Sequence, residues 1–220
     1  MESGRIARYW LIFVSILVSA FVPVQSALAH PHEFVEMKVA VHFDKAGKAS
    51  SVKYSWLFDE FFSAYLIEPA DTDGDGKPEQ EGLDALFIEI LGNIEEINYF
   101  TKFEKDSLDV EFGKPKPLVA SMKKRQLYLE FELPFKMALD LQTGNLEYAI
   151  YDDEFYIAMN HSTDADAVKL VGAPMGCEWT LLPPNPSEDV AAFAKSLDKT
   201  ESGGSGLGAN FAERVTIKCT

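Results

Sequence analysis

From Glu33 the chain alternates between apolar and polar residues. Val35, Met37, Val39, Val41 and Phe43 fall on one side, and Glu36, Lys38, Ala40 and His42 on the other. A period of two predicts a half-buried strand. Asp44-Lys45-Ala46-Gly47-Lys48 reads as a turn, and Val52, Tyr54, Trp56 and Phe58 continue the alternation in a second strand. The pair predicts a hairpin with a five-residue connection. The period then lengthens. Asp59 to Ile67 has helical spacing, with Phe58, Phe62, Tyr65 and Leu66 as its apolar stripe, Asp59 as a cap and Pro69 as its end. A second helix is predicted over Leu83 to Ile97, with Leu83, Leu86, Phe87, Ile90, Leu91 and Ile94 on its buried face.

Beyond Tyr99 short apolar runs return. They lie at Tyr99–Glu104, Leu108–Phe112, Leu127–Leu133, Gly144–Tyr151, Tyr156–Met159, Val168–Val171, Glu178–Leu182 and Val215–Cys219, separated by Pro115, Pro117, Pro134, Pro174 and Pro183-Pro184-Asn185-Pro186. A short helix with a Ser187 cap is predicted up to Leu197, and the Gly/Ser-rich stretch from Thr200 to Gly208 predicts a mobile loop. Many short strands with turn signals predict a mainly β, sandwich-like fold, α+β overall. The two helices around an acidic loop form an insertion at about residues 59–97.

The first residues have another character. Arg5 and Arg8 precede an apolar run from Trp10 to Val22, and Ala27-Leu28-Ala29 has the small-x-small pattern of a signal-peptidase site. This predicts a signal peptide over residues 1–29 and one exported domain over 30–220 that begins with His30. An uncleaved anchor is the alternative. Cleavage leaves 18 basic and 34 acidic residues, a formal charge of −16. That charge argues against a nucleic-acid partner and is compatible with binding cations. The two cysteines, Cys177 and Cys219, are predicted to form a disulfide that closes a loop of about 40 residues.

Two groups of residues carry candidate chemistry. Asp71, Asp73 and Asp75 are spaced by two and followed by Gly76, like the first half of a calcium-binding helix–loop–helix. Glu79 stands at the ninth loop position. The twelfth, where a bidentate glutamate is expected, is Gly82, with Glu81 beside it. The loop is therefore either a calcium site or an acidic turn joining two helices. The other group is His30-Pro31-His32. Imidazoles bind zinc, copper and nickel, and a freed α-amino group on His30 could join them. Pro31 has no amide proton, which excludes a square-planar site built on deprotonated amides. Two histidines at a terminus are equally compatible with solvated side chains. His42 and His161 are expected at the surface. No nucleophile elbow, phosphate loop or Cys–His pair is present, so an enzyme is not expected.

Several stretches resemble one family when taken in order. They are His30-Pro31-His32, Trp56-x-Phe58-Asp59-Glu60-Phe61-x-Ser63, Asp71-x-Asp73-x-Asp75-Gly76, Leu133-Pro134, Tyr151-Asp152-x-x-Phe155-Tyr156, and Leu207-Gly208-x-x-Phe211-Ala212 before Cys219. The sequence resembles periplasmic proteins catalogued as a domain of unknown function, associated with nickel/cobalt/zinc transporters of the NicO/RcnA type and similar to the ZevA component of a zinc-uptake pair. The resemblance implies a periplasmic protein that captures Zn²⁺, or Ni²⁺ or Co²⁺, for an inner-membrane permease. His30 and His32 would be its ligands, with Asp59, Glu60 or Asp152 completing the set. Asp71, Asp73, Asp75, Glu79 and Glu81 would hold Ca²⁺ separately. Relatives usually keep an acidic residue where this chain has Gly82. Two other readings stay open: a copper protein with an N-terminal histidine brace, which needs His42 or His161 near His30, and a calcium-stabilised interaction module.

Overall fold

A computed structural model describes residues 31–198 and 201–220. The expected signal peptide and His30 lie outside the described residues. The rest folds into two packed sheets and, among the described residues, three α-helices. The mainly β, sandwich-like architecture is as predicted.

Strand β1 (Glu33–Phe43) and strand β2 (Ala49–Phe58) form the predicted hairpin, paired antiparallel from Val35↔Phe58 to Phe43↔Ala49. Asp44 makes the turn: its Oδ1 accepts from the N–H groups of Ala46 and Lys48, and Gly47 supplies the positive φ of 75°. Val35, Met37, Val39 and Val41 are buried on one face, against Val52, Tyr54, Trp56 and Phe58 of the partner strand. Helix α1 (Glu60–Ile67) and helix α2 (Gln80–Asn93) follow. Strands β3 (Thr101–Lys105), β4 (Leu108–Asp109), β5 (Lys116–Lys123), β6 (Gln126–Leu139), β7 (Leu146–Ile150), β8 (Ile157–His161), β9 (Val168–Val171) and β10 (Cys177–Leu182) come next. Helix α3 (Glu188–Ser196) and strand β11 (Arg214–Cys219) complete the chain.

One sheet has the order β5-β6-β2-β1-β8, and β9 also pairs with β1; the other has the order β10-β11-β7-β3-β4. Strand β1 is central. It pairs antiparallel with β2 on one side and parallel on the other, first with β8 (Glu33↔Ile157 to Met37↔His161) and then with β9 (Val39↔Val168 to His42↔Val171). Tyr54, Trp56 and Phe131 from one sheet and Phe103 and Tyr148 from the other fill the space between them. Trp56 meets Phe131 edge-on at 4.8 Å, and Phe103 stacks on Tyr148 at 4.7 Å.

The structure departs from the pattern in several places, among them the second helix, which starts at Gln80 and ends at Asn93, so residues 94–97 form a turn. Strand β5 is missing from the pattern because, as an edge strand of mixed exposure, it has no apolar period: Leu118 and Val119 face solvent and only Ala120 is buried. Strand β6 runs through Pro134, which faces Ser51 beside the irregularity in the β2–β6 ladder, where a missing N–H is tolerated. Tyr99 stands in a turn, not a strand: Asn98, Tyr99 and Phe100 all have φ near +55°. The stripe expected on α1 also shifts, since Tyr65 is exposed and the residue buried on this helix is Ser63. Its Oγ donates to the Phe58 carbonyl and accepts from the Leu127 N–H, so a polar residue is what fixes the helix to the sheet.

Cys177 and Cys219 are disulfide-bonded and face each other across β10 and β11. The bridge closes a loop with a sequence separation of 42 residues. Chain-entropy reasoning gives about 4 kcal/mol for such a loop. The Cys177→Ala, Cys219→Ala double variant is therefore expected to unfold at lower urea with a ΔG reduced by about 3–4 kcal/mol, measured by equilibrium denaturation with circular dichroism.

Candidate metal centre and acidic loop

The start of β1 lies between two aspartates. Asp59 caps α1, its Oδ1 accepting from the N–H groups of Phe61 and Phe62 at 2.9 Å each. Its Oδ2 reaches back to the Phe34 N–H at 2.9 Å, and its own N–H donates to the Phe34 carbonyl. Asp152 does the same work on the other side. Its Oδ2 accepts from Tyr156 and Ile157 at 2.7 and 3.0 Å, which shapes the turn leading into β8, and the Tyr156 carbonyl then accepts from the His32 N–H. Asp59 thus joins a helix start directly to β1, whereas Asp152 shapes the turn whose Tyr156 carbonyl meets the residue before β1.

Glu33 itself belongs to the inward-facing set of β1, at the rim of the sheet. Burial, then the charges of Asp59 and of Asp152, push its carboxyl up to about 7. Among the described residues no lysine or arginine makes an ion pair with any of these three carboxylates. Three acidic groups and His32, whose ring lies 4.6 Å from that of Tyr156, therefore gather at the start of β1. Glu33 was not singled out from the sequence, where it reads only as the first residue of a strand. Its parity with Val35 and Met37 was the available signal.

The other candidate ligands are placed differently. Glu60, next to Asp59, has its Oε2 at 3.5 Å from Arg125. His42 is at the far end of β1, paired with Ser51 and Val171, nine residues or about 30 Å from Glu33 along the strand. His161 is not at the surface as expected: it is buried, 7% exposed. Its Nδ1 and backbone N–H both meet Glu213 Oε2, at 2.8 and 2.6 Å, and its Nε2 lies 3.0 Å from the Tyr148 hydroxyl. Burial raises the Glu213 carboxyl, but the hydrogen bonds from His161 outweigh this and leave it below the ordinary value. A histidine followed by Ser-Thr-Asp looks like a turn residue; only the long-range partner Glu213 makes it a core group.

The Gly/Ser-rich stretch is likewise not a free spacer. Residues 201–213 lie along the 152–156 turn and β8. Ser202 Oγ donates to Glu154, Ser205 Oγ to Asp153, and the Gly208 N–H to the Asp153 carbonyl. A Cβ on Gly208 would come within 1.8 Å of the Asp152 carbonyl oxygen, so this approach requires glycine. Phe211 stacks on Phe155 at 4.0 Å over a small cluster of Ala194, Leu197 and Leu207. Composition alone suggests mobility here, whereas Gly203 and Gly208 serve close packing and Gly204 and Gly206 turn the chain at positive φ.

The acidic loop is a separate feature. Ligand atoms of Asp71, Asp73 and Glu79 lie within 4.8 Å of one another; among the described residues no three of His32, Glu33, Asp59 and Asp152 approach as closely, so those four do not by themselves form a closed ligand set. Asp71 accepts from the N–H groups of Gly74, Asp75 and Gly76, which folds the loop around its carboxylate. The Thr72 N–H, and then its hydroxyl, hold the Glu79 carboxyl below its ordinary value. Asp75 accepts from Lys77. Gly82 is explained by packing: a Cβ there would lie 2.7 Å from the Ala70 carbonyl oxygen, so the start of α2 can press on the loop's entry only if no side chain intervenes. Glu81 lies in the first turn of α2.

The chain matches the family described as "Protein of unknown function (DUF1007)" over residues 15–219. It belongs to this family. An uncharacterized protein of Haemophilus influenzae is 26% identical over 208 residues, covering 93% of this chain and 98% of its own. An uncharacterized 15.5 kDa protein encoded in the trpE 3′ region of Spirochaeta aurantia is 30% identical over 94 residues, covering 43% of this chain and 66% of its own. The link to NicO/RcnA-type transporters drawn from the resemblance is not among these matches.

The crowding at Glu33 has a measurable sign. The folded protein keeps the Glu33 proton up to about pH 7, whereas the unfolded chain releases it near 4.5. The stabilisation is therefore full below the unfolded value and lost as pH rises through about 7. In chelator-treated protein, Glu33→Gln is expected to melt higher than the wild type at pH 8 and to converge with it only below about pH 4.5, as read by differential scanning calorimetry. Equal melting temperatures at pH 8 would show that Glu33 is not crowded.

Proposed function

We propose that the protein is a non-enzymatic, exported metal-binding protein that captures a divalent transition metal for a membrane permease. Zn²⁺ fits the donor set best, and Ni²⁺ or Co²⁺ come after it. The observation that carries this reading is the position of His32: it stands next to Glu33, whose carboxyl is crowded by Asp59 and Asp152 with no cationic side chain paired to them among the described residues. A divalent cation would relieve that crowding, and imidazole nitrogens with carboxylate oxygens make a borderline donor set suited to zinc. Asp59 and Asp152 are held by backbone N–H groups, so in this reading they act behind the histidine ligands, as charges that favour a cation. Glu33 takes the place that the resemblance gives to Glu60.

The compartment in this reading is the periplasm. The signal-like first residues and the Cys177–Cys219 disulfide support it, since such bonds persist in oxidising compartments. Among the described residues no helix is long and apolar enough to cross a membrane. The acidic loop would take Ca²⁺ as a structural ion. With Gly82 in place of a bidentate ligand its affinity is expected to be low, in the range of about 10⁻⁴–10⁻³ M known for extracellular modules.

Isothermal titration of the processed protein, beginning at His30, tests both parts. The His30→Ala, His32→Ala double variant is expected to lose zinc affinity at least tenfold, about 1.4 kcal/mol, while its calcium response is unchanged. Asp71→Asn with Asp73→Asn is expected to do the reverse. Zinc affinity unaffected by the histidine variant would remove the assignment.

A further inference from the structure

Strand β10 ends the five-stranded sheet, and the phase of its hydrogen bonds can be worked out. The Thr220 N–H donates to the carbonyl of Gly176, directly opposite, so this pair is hydrogen-bonded. Antiparallel ladders alternate, so Glu178/Lys218, Thr180/Thr216 and Leu182/Arg214 are bonded pairs as well. Cys177/Cys219, Trp179/Ile217 and Leu181/Val215 are the non-bonded pairs, and the close approach of the cysteine Cα atoms at 3.9 Å agrees with this. The N–H and C=O groups of Trp179 and Leu181 therefore point away from β11, toward a sheet edge that pairs with no strand among the described residues. Edges of this kind are commonly blunted by lysine, proline or a bulge. Here none interrupts Glu178 to Leu182, and Trp179 and Leu182 are 39% and 53% exposed.

We propose that β10 is a self-association edge, pairing antiparallel with β10 of a second copy about a two-fold axis through Thr180. The sequence of the edge is complementary to itself in that register. Trp179 of one copy would lie opposite Leu181 of the other as a hydrogen-bonded pair, using the outward groups of both. The single charge, Glu178, falls opposite Leu182 and not opposite its own equivalent. Thr180 meets Thr180 across a non-bonded pair, where Cα atoms approach to about 4.5 Å. Pro183 and Pro184 of each copy stop the pairing, one copy's prolines at either end. The two five-stranded sheets would then form one continuous sheet, with an isologous interface. A few strand residues bury an area at the low end for specific interfaces, below about 1,200 Å². The complex is therefore weak, and because each copy carries a formal charge of −15 before processing, added salt strengthens it.

Sedimentation velocity across a concentration series, at low and high salt, reads the association. Two variants at the exposed Thr180 place the axis. Thr180→Lys sets two like charges against each other and is expected to leave a single-chain mass at every concentration, with an unchanged melting temperature. Thr180→Cys is expected to form, under mild oxidation, a disulfide between the two substituted positions, found by peptide mapping alongside the intact Cys177–Cys219 bond. A single-chain mass for the wild type at the highest concentration and salt would overturn the proposal; an edge that accepts only a foreign strand would give that result. So would an association that Thr180→Lys leaves untouched.

Discussion

The structure depends on the pairing of β1 along both of its edges. Its antiparallel ladder with β2 is local and encoded by a hairpin turn. Its parallel ladders with β8 and β9 join residues more than a hundred positions apart. The closure entropy of such contacts is recovered only when the whole β1 face is buried. Val35, Met37, Val39 and Val41 are all at or below 2% exposed, which is the burial that makes the arrangement stable. It also puts His32 and Glu33 beside the turn that carries Asp152.

The carboxylates at that point are structural before they are anything else. Asp59 holds α1 to β1, and Asp152 holds the β7–β8 turn in the shape that lets the Tyr156 carbonyl meet His32. Charged acceptors of several N–H groups are strong clamps. The cost is that three acidic groups gather in one partly buried place. Structures accept such crowding when it is compensated, and in the proposed function a cation is that compensation. The strap from 201 to 213 holds the same turn from outside, through Ser202, Ser205 and Gly208, and continues to the Glu213–His161 pair. Two stretches that are distant in sequence, around Tyr151–Tyr156 and Leu207–Ala212, are thus two halves of one packed unit.

The hairpin, the capped helices, the acidic loop and the disulfide were legible because each is written in local pattern or in a count of two cysteines. Strand β5 was not, because an exposed edge carries no periodic signal. His161 was not, because its partner Glu213 is 52 residues away. The 201–208 stretch was misread, because glycine serves flexibility and close approach equally well and composition does not separate the two. Of the site, Asp59 could be read as a helix cap. Its second bond, to Phe34, and its company with Glu33 could not.

The sequence by itself determined the mainly β class, the alternation that buries one face of β1, the place of the helical insertion, and the shape of the Asp71-Asp73-Asp75-Gly76 loop. These follow from side-chain period, capping and turn chemistry, which act over a few residues. Only the tertiary structure decided that β1 is central and parallel to β8, that Glu33 stands between Asp59 and Asp152, and that Gly82 is needed against Ala70. These depend on which distant backbones come within hydrogen-bonding or van der Waals distance, and that is set by the packing of the whole chain and not by any one stretch of it.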